Sequence, residues 1–563
     1  MSDTTNQTVL PPEPGQKYNL QEYEEVARHF SWSEALQHLS VAPTGQWNAA
    51  YECIDRHVDE GFGGKTALLF TDGKREEYYT FSQVKEITDR YARVLIDEGV
   101  KKGSRVFIFL PKSPDCYFTI LAAIKAGAIA GPLFEAFMED AVRERMNDCE
   151  AEFLITDEEL GKRVPSKELP HLKKQWTVAE LENKAAGLSL ISEPVVWLDE
   201  DDGMLIHYTS GSTGKPKGVL HAQRAISHQL ISGKWVLDLK EDDVYWCTSH
   251  PGWVTGSVYG VFAPWLNRAT VVIHGGRYDA SQWYELIEKF KVTVWYSAPT
   301  AFRLLMSEGG LHADYDLSSL RHLLSVGEPL NPEVIHWAHT HLNVRIHDTW
   351  WMTETGGHLI VNFPSAVIKP GSMGRPFPGV KAGILNEKGE LLPAGEVGEL
   401  AIKAPWPGLM KEIWKNKDKY HSYFTEDGWY KSGDTAYQDE EGYVFFSGRN
   451  DDLINTAGER VGPFEVESKL IEHPAVAEAG VIGKPDPVRG EIIKAFVTLR
   501  NGFKAEESLI NSIRYFVRRE LSAHAAPREI EVVQELPKTK ISGKILRREL
   551  KARELEKEEA LKR

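Results

Sequence analysis

Tyr208-Thr209-Ser210-Gly211-Ser212-Thr213-Gly214-Lys215-Pro216-Lys217-Gly218 sits directly behind a short apolar run, Met204-Leu205-Ile206, so a strand empties into a polar loop. The ten residues after Tyr208 hold four hydroxyl side chains, three glycines and two lysines. Glycine lets the backbone turn tightly and present its N–H groups to an anion. Hydroxyls add donors, and the lysines add positive charge. The guest this composition suits is a triphosphate. A Walker-type P-loop is excluded, because it requires G-x-x-x-x-G-K-[ST]; here two residues separate Gly211 from Gly214, and Pro216 follows Lys215. A P-loop kinase or GTPase is therefore disfavoured.

On both sides of this loop, strand-like and helical runs alternate. Thr80 and Gln83 form a capping-box pattern, Val84, Ile87, Tyr91, Val94 and Leu95 recur at helical spacing, and Gly99 closes the segment. Strands are expected at Arg105 to Leu110, Ala151 to Thr156, and near 204–208, 269–274, 292–297, 320–326 and 344–348, with a helix from Asp115 to Ala126. This alternation predicts α/β layers with mostly parallel sheets. Ordered organisation is expected to begin near Thr80. The first 50 or so residues, including His29-Phe30-Ser31-Trp32, carry no chemistry that can be read.

After about residue 370 the pattern changes. Runs separated by Asn386-Glu387-Lys388-Gly389 and Asp439-Glu440-Glu441-Gly442 read as hairpins, hence a small β-rich subdomain. A further mixed segment follows from about 452, with a strand at Ile492 to Leu499 and a helix around Leu509 to Leu521; the last fifteen residues read as a solvated helix.

Composition narrows the function class. A chain of 563 residues, at about 150 per domain, is multi-domain. Lys plus Arg is 66 against 82 Asp plus Glu, a net charge of −16, which argues against a general nucleic-acid binder. The most apolar run, Phe118 to Phe134, is broken by Lys125, Gly127, Gly131 and Pro132 and reads as a buried helix and turn, with no membrane span. Cys53, Cys116, Cys149 and Cys247 lie far apart and suggest neither a zinc site nor a disulfide framework. Met1 to Gln16 lacks a signal-peptide pattern, so a cytoplasmic location is expected.

The 208–218 loop resembles the phosphate-binding loop of the adenylate-forming enzymes, the acyl-CoA synthetase and luciferase superfamily. Four further stretches resemble that family's motifs in its usual order, and together they reach from roughly Thr80 to Arg548. Ser325-Val326-Gly327-Glu328-Pro329 follows a strand; the resemblance lays Gly327, Glu328 and Pro329 along the adenine ring. In Asp348-Thr349-Trp350-Trp351-Met352-Thr353-Glu354-Thr355-Gly356, a carboxylate beside hydroxyls at a strand end suits a magnesium–phosphate site. By resemblance Thr353 contacts phosphate and Glu354 helps hold Mg²⁺, with Asp348, Thr349 and Trp350 in the nucleotide site beside Thr209, Ser210, Gly211, Ser212, Thr213, Gly214 and Lys215. Ser432-Gly433-Asp434 and Gly448-Arg449 come next: Asp434 matches the ribose-binding carboxylate, and Arg449 offers a planar donor fork. Asp451 occupies the hinge position. In Thr456-Ala457-Gly458-Glu459-Arg460, the resemblance implies that Ala457 and Gly458 line the thiol tunnel and that Arg460 serves the nucleotide. Pro537-Lys538-Thr539-Lys540-Ile541-Ser542-Gly543-Lys544 resembles the motif of the catalytic lysine, placed at Lys544 by its Ser-Gly-Lys register, with Lys538 and Lys540 as rivals.

The resemblance implies an α/β fold: a large N-terminal domain, 1–450, of layered α/β sheets with a β-rich subdomain at about 370–450, and a small mobile α+β C-terminal domain, 451–563, beyond the hinge. It also implies a two-step reaction. A carboxylate attacks ATP, releasing pyrophosphate, and coenzyme A then attacks the acyl-adenylate, releasing AMP. Trp351, at the floor of the acyl pocket, and Trp253, Val254 and Thr255, at its wall, are features of the acetate-activating branch, the acetyl-CoA synthetases. Acetate is the expected acid, with Mg²⁺, ATP and coenzyme A as cofactor and co-substrates, and Lys544 a target for a lysine acetyltransferase and deacetylase. Ser249-His250 departs from the Ala-Asp usual before the Pro251-Gly252-Trp253 stretch. Rival readings are a ligase for propionate or another short acid, an adenylation enzyme loading a carrier protein, and a nucleotide sensor of the same fold. Arg518 and Arg519 are candidates for the coenzyme A nucleotide.

Overall fold

The computed structural model describes residues 9–188, 194–210, 216–449, 452–456, 459–486, 489–538 and 545–562, without the side chains of 42–43, 210, 459–460 and 558–562. Gly211, Ser212, Thr213, Gly214, Lys215, Asp451, Ala457, Gly458, Lys540 and Lys544 thus lie outside the described residues, as do the side chains of Ser210 and Arg460.

Among the described residues the strands form three sheets. In the first, the Gly203–Ser210, Ile129–Pro132, Arg105–Phe109, Phe153–Thr156 and Lys174–Thr177 strands run parallel in that order. Pro216–Ala222 pairs antiparallel with Gly203–Ser210, and Glu412–Ile413 pairs on its other side. The second sheet has a parallel centre, Ile346–Trp350, His322–Ser325, Val294–Ser297, Val244–Cys247, Thr270–His274 and Thr66–Thr71. These strands are buried on both faces, as a sheet covered on both sides is. The strands after residue 370 join the same sheet: antiparallel Ser372–Pro376, Val444–Arg449, Trp429–Gln438, Gly398–Lys403 and Ala382–Leu385 extend it past Ile360–Val361. The chain reverses at both expected turns, with Gly389 N–H donating to Asn386 O and Gly442 N–H to Asp439 O. The third sheet, built on Val476–Asp486 and Gly490–Leu499, has its own apolar core of Val466, Leu470, Val481, Ile493, Val497 and Val517.

Local signals were read well. Thr80 Oγ1 accepts from Gln83 N–H at 3.3 Å and Gln83 Oε1 accepts from Thr80 N–H at 2.8 Å, starting the Phe81–Asp97 helix. Past its end Gly99 takes φ +98°, the left-handed region that glycine favours.

Three expectations need correction. Organisation begins well before Thr80: Thr66–Thr71 and Glu76–Thr80 form a hairpin, and the Tyr23–His29 and Trp32–Leu36 helices precede it. Elements of five to seven residues are too short for periodicity, and their partners are remote; Trp32 stacks on Phe377 at 5.7 Å. Second, the Phe118–Phe134 run is buried with a helix in it, as expected, but Lys125 belongs to that helix and does not break it. It is fully buried at the end of the Pro114–Lys125 helix and bridges Asp55 and Asp89 at 2.8 and 2.6 Å. Third, the C-terminal Arg547–Lys562 helix is docked along one face: Leu550 packs with Ile482, Phe496 and Leu536, and Glu554 pairs with Lys494 at 2.8 Å. No helix among the described residues is long and apolar enough to cross a membrane.

Candidate active site

The Gly203–Ser210 and Pro216–Ala222 strands bring Thr209 opposite Lys217 and Ser210 opposite Pro216, framing the 211–215 loop. Tyr208 turns away from it, donating to Asp148 Oδ2 at 2.8 Å. Lys217 is part-buried, and its ammonium is held below the usual lysine range by desolvation and then by Lys419, with Glu354 opposing.

The second strand end, Ile346–Trp350, leads straight into Trp351-Met352-Thr353-Glu354-Thr355-Gly356. This turn is bedded tightly. Met352 N–H donates to Thr355 Oγ1 at 2.9 Å, and Met410 N–H donates to Glu354 O at 2.9 Å. Gly356 sits at φ +67° with Gly408 O only 1.9 Å from where a Cβ would stand, and His221 Cε1 lies 3.0 Å from the same point. No other residue fits. The Glu354 carboxylate accepts from Tyr423 Oη at 3.2 Å and lies close enough to Lys217 to feel its charge. Asp348 is buried, receives Thr349 N–H at 3.0 Å, and desolvation pushes its carboxyl up to about 8.

Asp434 and Arg449 face each other across the Trp429–Gln438 and Val444–Arg449 pair, with Arg449 Nη1 3.0 Å from Asp434 Oδ1. Trp350 Nε1 donates to Asp434 Oδ2 at 2.8 Å, tying this motif to the Asp348–Gly356 turn. Gly327 takes φ +87° with open space around it. The Glu328 carboxylate is committed to Thr300 Oγ1 and Arg303 Nη2, both at 2.8 Å. Beyond Pro329, Asn331 Nδ2 donates to Ser468 Oγ at 2.9 Å and Glu333 pairs with Arg500 at 3.0 Å, so the third sheet's unit closes against this edge. There Lys538 is paired with Glu478 at 2.7 Å.

Trp351 is buried at 8% exposure and meets Tyr259 edge-on at 5.0 Å, with Val254 packed against the same cluster. Trp253 is 37% exposed and leans on Phe134 and Phe137 at 5.4 and 6.2 Å, while Val254 opens the next short helix and packs against the core that holds Trp351.

Residues 55–414 match the AMP-binding enzyme family, and residues 465–544 match the AMP-binding enzyme C-terminal domain. The chain is 59% identical over 561 residues to an acetyl-coenzyme A synthetase of Bacillus subtilis, covering 98% of each chain. It is 40% identical to one of Rubrobacter xylanophilus, covering 94% of this chain and 91% of that one. Among solved structures, it resembles an anthranilate CoA ligase in complex with anthranoyl-AMP at TM-score 0.84 and 30% identity, over 93% of this chain and 99% of that one. A Brucella canis acyl-CoA synthetase gives TM-score 0.75 at 34% identity, over 96% and 100%.

The chain belongs to the acetyl-coenzyme A synthetase family of AMP-binding enzymes.

The described candidate residues are joined to one another: Thr209, Lys217, Thr353, Glu354, Trp350, Asp434 and Arg449 are linked by direct contacts or by adjoining strand ends. The sequence motifs give no sign of Tyr423, Lys419 and His221 as neighbours of these residues, whereas Lys217 is one of the two lysines counted for phosphate charge. Tyr423 and Lys419 had no signal at all, since they come from a 417–423 segment whose only motif is an Asn416 helix cap. Lys217 stood in the quoted loop itself. Among the described residues no group of three or more His, Cys, Asp or Glu could hold a metal by itself. A single carboxylate does suit a Mg²⁺ that arrives with phosphates, because magnesium keeps most of its shell as water and phosphate oxygen.

Proposed function

We propose that this chain is a cytoplasmic acetate–CoA ligase that forms acetyl-adenylate from acetate and ATP, releases pyrophosphate, and passes the acetyl group to coenzyme A. The observation that carries the acid is Trp351. Its buried indole follows directly on the strand end that leads into Thr353 and Glu354, and it meets Tyr259 edge-on. An acid reaching the phosphate past Val254 and Thr255 meets the largest side chain available, which leaves room for a methyl group.

The first step brings two anions together, and the surroundings answer that. Thr209 to Lys215 and Thr353 would hold the phosphates by hydroxyls, backbone N–H groups and the Lys215 charge. Glu354, kept in place by Tyr423, would hold Mg²⁺, which when bound offsets phosphate charge. Asp434, oriented by Trp350 and Arg449, would accept the ribose hydroxyls, and the Gly327–Pro329 backbone would lie along adenine. Lys544 would bridge carboxylate and α-phosphate oxygens, and acetylation there by a lysine acetyltransferase would switch the step off. Turning of the 451–563 unit about Asp451 would then withdraw Lys544 and bring Ala457 and Gly458 to the thiol path, so one cleft serves two chemistries.

The test is pyrophosphate release and thioester formation across C1 to C6 acids. Acetate is expected to give the highest kcat/KM, with propionate next. A preference for butyrate or longer acids would overturn acetate as the substrate.

A further inference from the structure

Tyr296 lies in the Val294–Ser297 strand, fully buried, and its hydroxyl is the meeting point of three side chains. Thr349 Oγ1 lies at 2.7 Å, His358 Nε2 at 3.0 Å and Trp351 Nε1 at 3.2 Å. Proton accounting leaves one arrangement. Thr349 Oγ1 donates its hydrogen to Ser325 O at 2.7 Å, so toward Tyr296 it can only accept. The Tyr296 hydroxyl hydrogen therefore goes to Thr349. Trp351 Nε1 is always a donor, so it donates to the Tyr296 oxygen. With its hydrogen committed, that oxygen can only accept from His358, which fixes the His358 tautomer as Nε2–H. Burial holds this imidazole neutral. Its backbone N–H donates to Tyr259 Oη at 2.7 Å, and its ring stacks on Tyr259 at 3.8 Å and 9°.

The Tyr296 hydroxyl thus donates once and accepts twice, and the one polar atom of the Trp351 side chain is among its partners. The indole meets the rings of Tyr259 and His358 edge-on, and its bond to Tyr296 is the one hydrogen bond that orients it within them. We propose that Tyr296 is a positioning residue for acid selection: by accepting from Trp351 Nε1 it fixes the indole as a rigid end to the acyl pocket. His358 and Tyr259 hold Tyr296 and the indole in that geometry. The inference rests on reading Trp351 as the end of that pocket. Without the hydroxyl the indole is free to swing, the pocket deepens, and longer acids are admitted.

The experiment measures kcat/KM for acetate, propionate and butyrate in wild type, Y296F, W351F and the double variant, with thermal melting as a check on folding. In Y296F the propionate-to-acetate ratio should rise roughly five- to tenfold, the scale of one lost directional contact. Adding Y296F to W351F should leave the ratio of W351F unchanged, since no indole N–H remains to anchor. An unchanged ratio in folded Y296F, or the same further rise in the W351F background, overturns the proposal. If Y296F does not fold, replacing Trp351 with its benzothienyl isostere removes only the N–H; the ratio must rise there too, and an unchanged ratio overturns the proposal. Should wild type prefer a longer acid, acetate as substrate is what has failed. The anchoring role is then still decided by whether these variants shift preference toward acids longer than the wild-type optimum.

Discussion

Trp350 donates its indole N–H to the Asp434 carboxylate across 84 residues of chain, and this bond joins the turn that carries Thr353 and Glu354 to the strand pair that carries Asp434 and Arg449. Trp350 → Phe keeps the ring and removes the donor. A hydrogen bond to a charged group contributes about 1.5–3 kcal/mol, so the KM for ATP should rise by roughly one to two orders of magnitude if Asp434 must be aimed at ribose. Pyrophosphate exchange at varied ATP measures this, and an unchanged KM means Asp434 is aimed without Trp350.

Asp348 makes stability depend on pH. Burial raises its folded pKa to about 8, against about 3.9 for a free aspartate. Between those values the folded chain keeps a proton that the unfolded chain releases, so stability falls as pH rises through that window. The contribution is fully present below about pH 4 and gone above about pH 8. Asp348→Asn removes the ionisable group, so the melting temperature of the variant should gain on wild type from pH 5 to about pH 8 and level off by pH 9. A constant difference across that range would count against a buried, protonated Asp348.

Lys125 should matter more to folding than any charged surface residue. Its ammonium and the Asp55 and Asp89 carboxylates are all buried, and Lys85 adds a second cation at 3.2 and 2.8 Å. Lys125→Met leaves two carboxylates short of charge in the interior, which costs about 3–5 kcal/mol where one partner of a buried pair is removed. Denaturant unfolding measures it; a loss below about 1 kcal/mol would mean that Lys85 alone compensates both carboxylates.

Where a signal is local, the sequence held it. Thr80 and Gln83 lie three residues apart, so their capping box could be read directly, as could the turns at Gly389 and Gly442. Parallel strands announced themselves as apolar runs. What could not be read is what depends on distant chain: Thr66–Thr71 is a strand because Thr270–His274 lies beside it, and Tyr423 reaches Glu354 from 69 residues away. The direction of a side chain within a correctly recognised motif was equally hidden. Trp253 and Val254 are neighbours in sequence, yet one leans half-exposed on Phe134 and Phe137 while the other packs against the core that holds Trp351.

The two half-reactions should separate genetically. Lys544→Ala is expected to abolish acetyl-adenylate formation while sparing thioester formation from supplied acetyl-adenylate, and acetylation of Lys544 should act like the alanine because it removes the same charge. Gly458→Leu should do the reverse, closing the thiol path with adenylate formation largely kept. Equal loss of both half-reactions in either variant contradicts a division of labour between the two segments.

The proposed place of Trp351 at the end of the acyl pocket sets an expected acid profile. One methylene of mismatch in an apolar pocket is worth about 1–3 kcal/mol, so wild type should disfavour propionate by roughly 10- to 200-fold without excluding it. Longer acids meet a wall, because a packed interior resists overfilling. Trp351→Gly removes that wall and should raise kcat/KM for C4 to C6 acids. Acetate should lose, since it no longer fills the space and its carboxylate is less well held for attack on the phosphate. The indole also leaves behind Tyr296, whose oxygen loses one donor while His358 still supplies another, so the surrounding network should survive the change. Melting temperatures within a few degrees of wild type would show that it does. If the acid profile of the variant matches wild type, Trp351 is packing alone, and chain length is set by another part of the pocket wall.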